Sequence, residues 1–190
     1  MNTFELFIKI GWKHIITTGA IDHMLFLMAL TVHFRLKELK KLVFLITLFT
    51  ITHTTSLVLS MYGFLHIPSK YIEIAIVLTI IITALSNIIQ KDKKKIEITH
   101  WVFALFFGFI HGLGFTSAFE MAVSGIGEKW IPLLGFAAGV EAGQLVVIII
   151  FLSLISVAEK LFKVSSKNLT TGVSFFILGY AVSLLHSLLK

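Results

Sequence analysis

Six stretches of about 20 mostly apolar residues, each long enough to cross a bilayer as a helix, leave this chain few ways to fold. They run over 15–33, 42–62, 71–89, 100–122, 131–157 and 169–188, with short polar joints between them. In hydrocarbon every backbone N–H and C=O must be satisfied within the protein, which leaves helices or a closed barrel. There are only two prolines and no alternating apolar–polar pattern, which disfavours a barrel. The 190 residues are 57% hydrophobic and 14% charged, with a mean hydropathy of +0.96. The reading is an all-α fold, a polytopic membrane bundle of about six transmembrane helices, forming one domain over 1–190. Residues 1–14 (MNTFELFIKIGWKH) read as an interfacial N-terminal segment with Trp12 and Lys13 at headgroup level. With Glu5 early and no basic start, a cleavable leader is not expected.

The net charge of +6 follows topology and does not point to nucleic acid. Arg35, Lys37, Lys40 and Lys41 occupy one joint, Lys91, Lys93, Lys94 and Lys95 a second, and Lys160, Lys163 and Lys167 a third. The alternate segments hold Lys9, Lys13, Lys70, Lys129 and Lys190, so the count is eleven against five. The excess marks the first, third and fifth joints as cytoplasmic and puts both termini outside, with a bacterial inner membrane as the expected location. With no cysteine, disulfides, thiolate ligands and a thiol nucleophile are all excluded.

Against this apolar background the ionisable residues stand out. His23 lies in GAIDHMLFL, His53 in FTITHTTSL, His111 in FGFIHGLGF and Glu141 in GVEAGQL. An ionisable group near the bilayer centre costs at least a few kcal/mol and persists where it meets a partner, a cavity or a metal. Imidazole and carboxylate together make a ligand set for a divalent transition metal. Asp22 stands beside His23 as a ligand or as the group that orients it, and His14 sits at the outer mouth. Ser56 shares a helix face with His53, as Gln144 does with Glu141, so both are expected to support the site. Glu73 and Asn87 are candidates for a pathway or for interhelical bonding, and Asn87 and His100 for an inward exit. His33, His66, His100 and His186 fall near predicted span ends and read as interfacial.

Spacing brings out two further features. His23 to His53 and His111 to Glu141 are both 30 residues apart, the mark of an inverted repeat of three spans plus three with a site at its interface. Gly135, Gly139 and Gly143 form a ridge suited to close helix contact. Glu141 projects to roughly the opposite side of that helix, which predicts a span packed on two sides.

The same residues resemble the HupE/UreJ family of small membrane proteins associated with nickel hydrogenase and urease systems. Its first signature, a histidine followed by G-x-D-H-x-x-F-L, matches His14, Gly19, Asp22, His23, Phe26 and Leu27. Phe49, Thr50 and His53 match F-T-x-x-H, and Phe107, Gly108, His111, Gly112, Leu113, Gly114 and Phe115 match F-G-x-x-H-G-L-G-F. Gly139, Val140, Glu141, Gly143, Gln144 and Leu145 match G-V-E-x-G-Q-L. The chain departs from the family pattern in its missing leader and in Ala137, where asparagine is expected. The resemblance implies a nickel or cobalt permease.

Two functions fit these residues. In the first, the protein is a metal-ion permease that takes nickel or cobalt past His14 to His23, His53, His111 and Glu141. In the second, it is an intramembrane zinc hydrolase acting on a lipid-like substrate, with Asp22 or Glu141 as general base and Ser56 positioning the substrate. Haem binding is disfavoured by the carboxylates, whereas a sensor or assembly factor would share the site without flux. The expected partners are the lipid bilayer and the metal ion, with a second copy of the chain or a metalloenzyme-maturation protein as further candidates.

Overall fold

A computed structural model of the protein describes residues 2–17, 20–90 and 93–190, and side chains throughout these except at 93–96. Gly19 and Lys91 of the sequence analysis lie outside the described residues, as do the side chains of Lys93, Lys94 and Lys95. Among the described residues there are eight α-helices and no strand. They are α1 (Thr3–Ile16), α2 (Ile21–Thr31), α3 (Leu39–Met61), α4 (Ser69–Ile89), α5 (Lys93–Gly114), α6 (Thr116–Ala122), α7 (Trp130–Phe162) and α8 (Ser166–Leu188). A 3-10 turn, Leu36–Glu38, leads into α3.

Four of these are long and apolar enough to cross a membrane alone: α3 with its leading turn, α4, α7 and α8. Counting each of the bent pairs α1–α2 and α5–α6 as one span, and not as a re-entrant loop, gives six, so the described chain has four to six candidate spans. The window 15–33 is therefore not one helix, because Ile16 ends α1 and Ile21 begins α2. Asn2 starts α1 ahead of that window through a capping box, its side chain accepting from the Glu5 N–H at 2.8 Å.

The distribution of polarity suits lipid. Phe44, Ile51, Ile89, Phe106, Leu154 and Phe176 are each more than half exposed on the outside of the bundle. So large an apolar exterior is a liability in water and neutral in hydrocarbon. Histidine, threonine and glutamine side chains meanwhile lie buried inside. The protein is an integral membrane protein.

Small residues set the closest helix contacts. The ridge Gly135, Gly139 and Gly143 receives α1 at Phe4, Ile8 and Ile15, while Gly11 rests against the backbone of Phe136 and Val140. Any side chain at Gly139 would strike the Ile8 carbonyl, so the two backbones approach as closely as glycine permits. On α5, Gly108 and Gly112 bring that helix against Phe49, Thr52 and His53 of α3. Glu141, on the other side of α7 from the ridge, faces α3. Helix α7 is thus packed on two sides, as the 100° rotation per residue requires.

Candidate metal centre

His14 sits in the last turn of α1, His23 in the first turn of α2, His53 within α3 and His111 near the end of α5. The break between α1 and α2 lets two histidines only nine positions apart approach each other, their rings 4.6 Å apart between centroids. His53 lies 6.0 Å from the ring of His14 and 6.3 Å from that of His23, and His111 is 5.1 Å from His23. His14, His23 and His53 each offer a ligand nitrogen, all within 4.8 Å of one another, and this trio could hold a metal ion. Two imidazoles on one ion have nitrogens at most about 4.2 Å apart, given metal–nitrogen bonds of about 2.1 Å. The trio is therefore a small side-chain adjustment away from ligating geometry.

Hydrogen bonding decides which nitrogens are bare. The Asp22 carboxylate accepts the backbone N–H of His23 at 2.8 Å and lies 3.1 Å from His23 Nδ1. A carboxylate only accepts, so Nδ1 carries the proton and Nε2, buried without a partner, presents its lone pair. This carboxylate–imidazole arrangement orients a metal-binding histidine and raises its basicity. His111 Nε2 lies 3.1 Å from the Thr79 hydroxyl, whose single proton is given to the Ile76 carbonyl at 2.6 Å. Thr79 therefore accepts from His111 and leaves Nδ1 bare. His53 is fully buried with neither ring nitrogen bonded, and Nε2 of His14 is likewise unpartnered.

Aromatic side chains wall the group. Phe115 lies 4.1 Å from the His14 ring and stacks on Phe136, while Phe26 and Phe49 contact His111. On its open side is a cavity of about 510 Å³ that reaches Lys13, Asp22, Glu73 and His111. Glu73 lines this cavity from the exposed start of α4.

The remaining sequence candidates stand elsewhere. Glu141 accepts the Thr47 hydroxyl at 2.5 Å, and Thr47 is six residues before His53, about 9 Å along α3. Gln144 accepts from Thr50 at 3.0 Å, its own amide nitrogen buried and unpartnered. Ser56 donates to the His53 backbone carbonyl at 3.0 Å, so it fixes the helix around His53 and does not reach the ring. His66 and His186 are exposed. His100 differs from the sequence expectation of an interfacial residue: it is 1% exposed and bonded to Asn87. Thr79 was missed altogether, although its spacing to Thr83 and Asn87 puts a polar stripe on one face of α4.

No characterised protein and no solved structure matches this chain. The family model described as HupE / UreJ protein matches residues 1–188. The helical bundle and its histidine trio accordingly come from a chain that belongs to the HupE/UreJ family.

Proposed function

We propose that the protein is a permease for a divalent borderline transition cation, nickel or cobalt, which His14, His23 and His53 receive from the cavity beside them. The observation that carries this reading is the convergence of three helices on bare imidazole nitrogens, with His14 and His23 lining a cavity and His53 buried behind them. Nitrogen donors without sulfur suit borderline ions, and neutral imidazoles with one nearby carboxylate leave a dication loosely enough held to be released. His111 stands as the next imidazole beyond the trio, whereas Glu141, bonded to Thr47, lies apart from it. The positive-inside reading supports an inward direction. Helix α2 carries the chain from His23 at its near end to Arg35 and Lys37 beyond its far end, on the side assigned to the cytoplasm.

The hydrolase reading draws less support. It needs a general base and a positioning hydroxyl at the metal, but Glu141 is held by Thr47 and Ser56 by a backbone carbonyl. Of these candidates Asp22 alone is adjacent, and one of its two oxygens is taken by His23. Liposomes containing the protein are expected to take up radiolabelled nickel or cobalt, and His53→Ala is expected to abolish uptake. Stoichiometric, tightly held zinc with no flux of any cation would overturn the permease in favour of the enzyme.

A further inference from the structure

Helices α2 and α5 meet twice through histidines. At one end His23 faces His111; at the other His33, just past α2, faces His100 with ring centroids 5.7 Å apart. Ten residues of α2 and eleven of α5 separate the two pairs, about 15 Å of helix. The second pair has the same chemical preparation as the first. Asn87 donates through Nδ2 to the Ala29 carbonyl at 2.6 Å, which turns its Oδ1 toward His100 Nε2 at 3.0 Å. An amide oxygen only accepts, so His100 Nε2 carries the proton and Nδ1 is a bare, buried lone pair. Nε2 of His33 is also buried and unpartnered. Two imidazoles on one ion, with bonds of about 2.1 Å, bring their ring centroids to a separation of the same order as that found here.

This pair adjoins a cavity of its own, about 540 Å³, lined by His33, Arg35, Asn87, Lys167 and Thr170 among others. Between the two pairs lies an apolar septum in which Phe26 contacts Phe107, and Phe107 stacks on Phe103. Helix α4 bridges the septum with a polar line. Thr79, Thr83 and Asn87 are four residues apart, each buried, with Thr79 bonded to His111 and Asn87 to His100. Arg35 lines the same cavity with its guanidinium tied to Glu159 at 2.6 Å, to Ser166 and to two backbone carbonyls; its charge still opposes positive charge at His33, and Glu38 lines the cavity with the opposite sign. Lys37 and Lys167 at the rim oppose a resident dication, which suits a site that lets its ion go.

We propose that His33 and His100, with Asn87 positioning His100, form a second station for a borderline divalent cation, joined to the first by the Thr79–Thr83–Asn87 stripe of α4. As an exit station it rests on the permease reading; as a binding site it stands without it. The test uses the full chain in lipid nanodiscs and in liposomes, with cobalt as the probe. After equilibrium dialysis, wild type is expected to hold two cobalt ions per chain, and His53→Ala, His100→Gln and His33→Gln one each. The double variant His53→Ala/His100→Gln is expected to hold none. Glutamine at 100 keeps a donor for Asn87, and glutamine at 33 keeps an amide that can bond to Asn87 as His33 does, so it decides the matter if the variant at 100 does not fold. Cobalt uptake is expected to fall about tenfold or more in both glutamine variants, the scale of losing a ligand or its orienting partner. A His53→Ala protein that binds no cobalt, or glutamine variants that still hold two ions, would overturn the second station. Two ions bound by wild type without uptake would keep the station and remove the permease.

Discussion

His53 carries two ring nitrogens buried without a partner, and each unsatisfied polar atom costs about 1–3 kcal/mol. A residue kept for stability would not be left in that state, whereas a ligand waiting for its ion would. His53→Leu is therefore expected to raise the melting temperature of the metal-free protein while abolishing cobalt binding. A drop in melting temperature would instead mark His53 as a structural residue. Asp22→Asn keeps the shape beside His23 but removes the carboxylate that holds Nδ1–H. Cobalt affinity is expected to fall about 10–100-fold in a competition titration, with no loss of fold. At this scale the sequence was informative wherever an ionisable group interrupts an apolar run, as at His23, His53 and His111. It was blind where a partner comes from another helix. His100 reads as an interfacial residue because it stands near a window edge, whereas Asn87, His33, Phe34 and Phe103 enclose it.

Among the elements, the two glycine-lined contacts carry the most consequence. A methyl at Gly139 would meet the Ile8 carbonyl, and one at Gly112 would meet the His53 carbonyl and the Ser56 hydroxyl. Backbone atoms cannot yield as a flexible side chain does, so each alanine forces its helices apart at a cost of about 1–3 kcal/mol or more. Gly139→Ala is expected to lower thermal stability in detergent, and Gly112→Ala to lower both stability and cobalt affinity because it moves His53. Gly172 and Gly179 of α8 have open space where a side chain would go, and alanine there is expected to be neutral or mildly stabilising. The ridge on α7 was legible because glycines four residues apart stack on one face. The division of the first window into α1 and α2 was signalled only by Gly19, a helix-stopping residue type that a 20-residue apolar window absorbs without a break.

Across the whole molecule, α1 packs on α7 as α5 packs on α3, and α4 pairs with α8. Exchanging the first three long elements for the last three preserves these pairings, as a repeat would, although the α4–α5 contact has no counterpart of similar extent among the described residues. The membrane class was legible from composition alone, because hydrocarbon imposes its demand on every residue of a span. Topology can be tested directly, since the chain has no cysteine of its own. His66→Cys and Lys129→Cys are expected to react with an impermeant thiol reagent in intact cells. Lys37→Cys and Lys167→Cys are expected to react only after permeabilisation, and the reverse pattern would invert the assigned direction of transport.

The two cavities bear on how membrane voltage acts. In the proposed permease, hydration of the two cavities would make the electrical potential drop mainly across the Phe26–Phe107 septum and not evenly over the bilayer. A cation that moves the short distance from His23 to His33 then traverses most of the field. At about 2.3 kcal/mol per elementary charge per 100 mV, a dication gains about 4.6 kcal/mol from an inside-negative potential of about 100 mV. The resting voltage of a cell would thereby drive accumulation with no nucleotide or second ion consumed at the protein. Imposing a potassium diffusion potential on cobalt-loaded liposomes would make the flux follow the sign of the voltage.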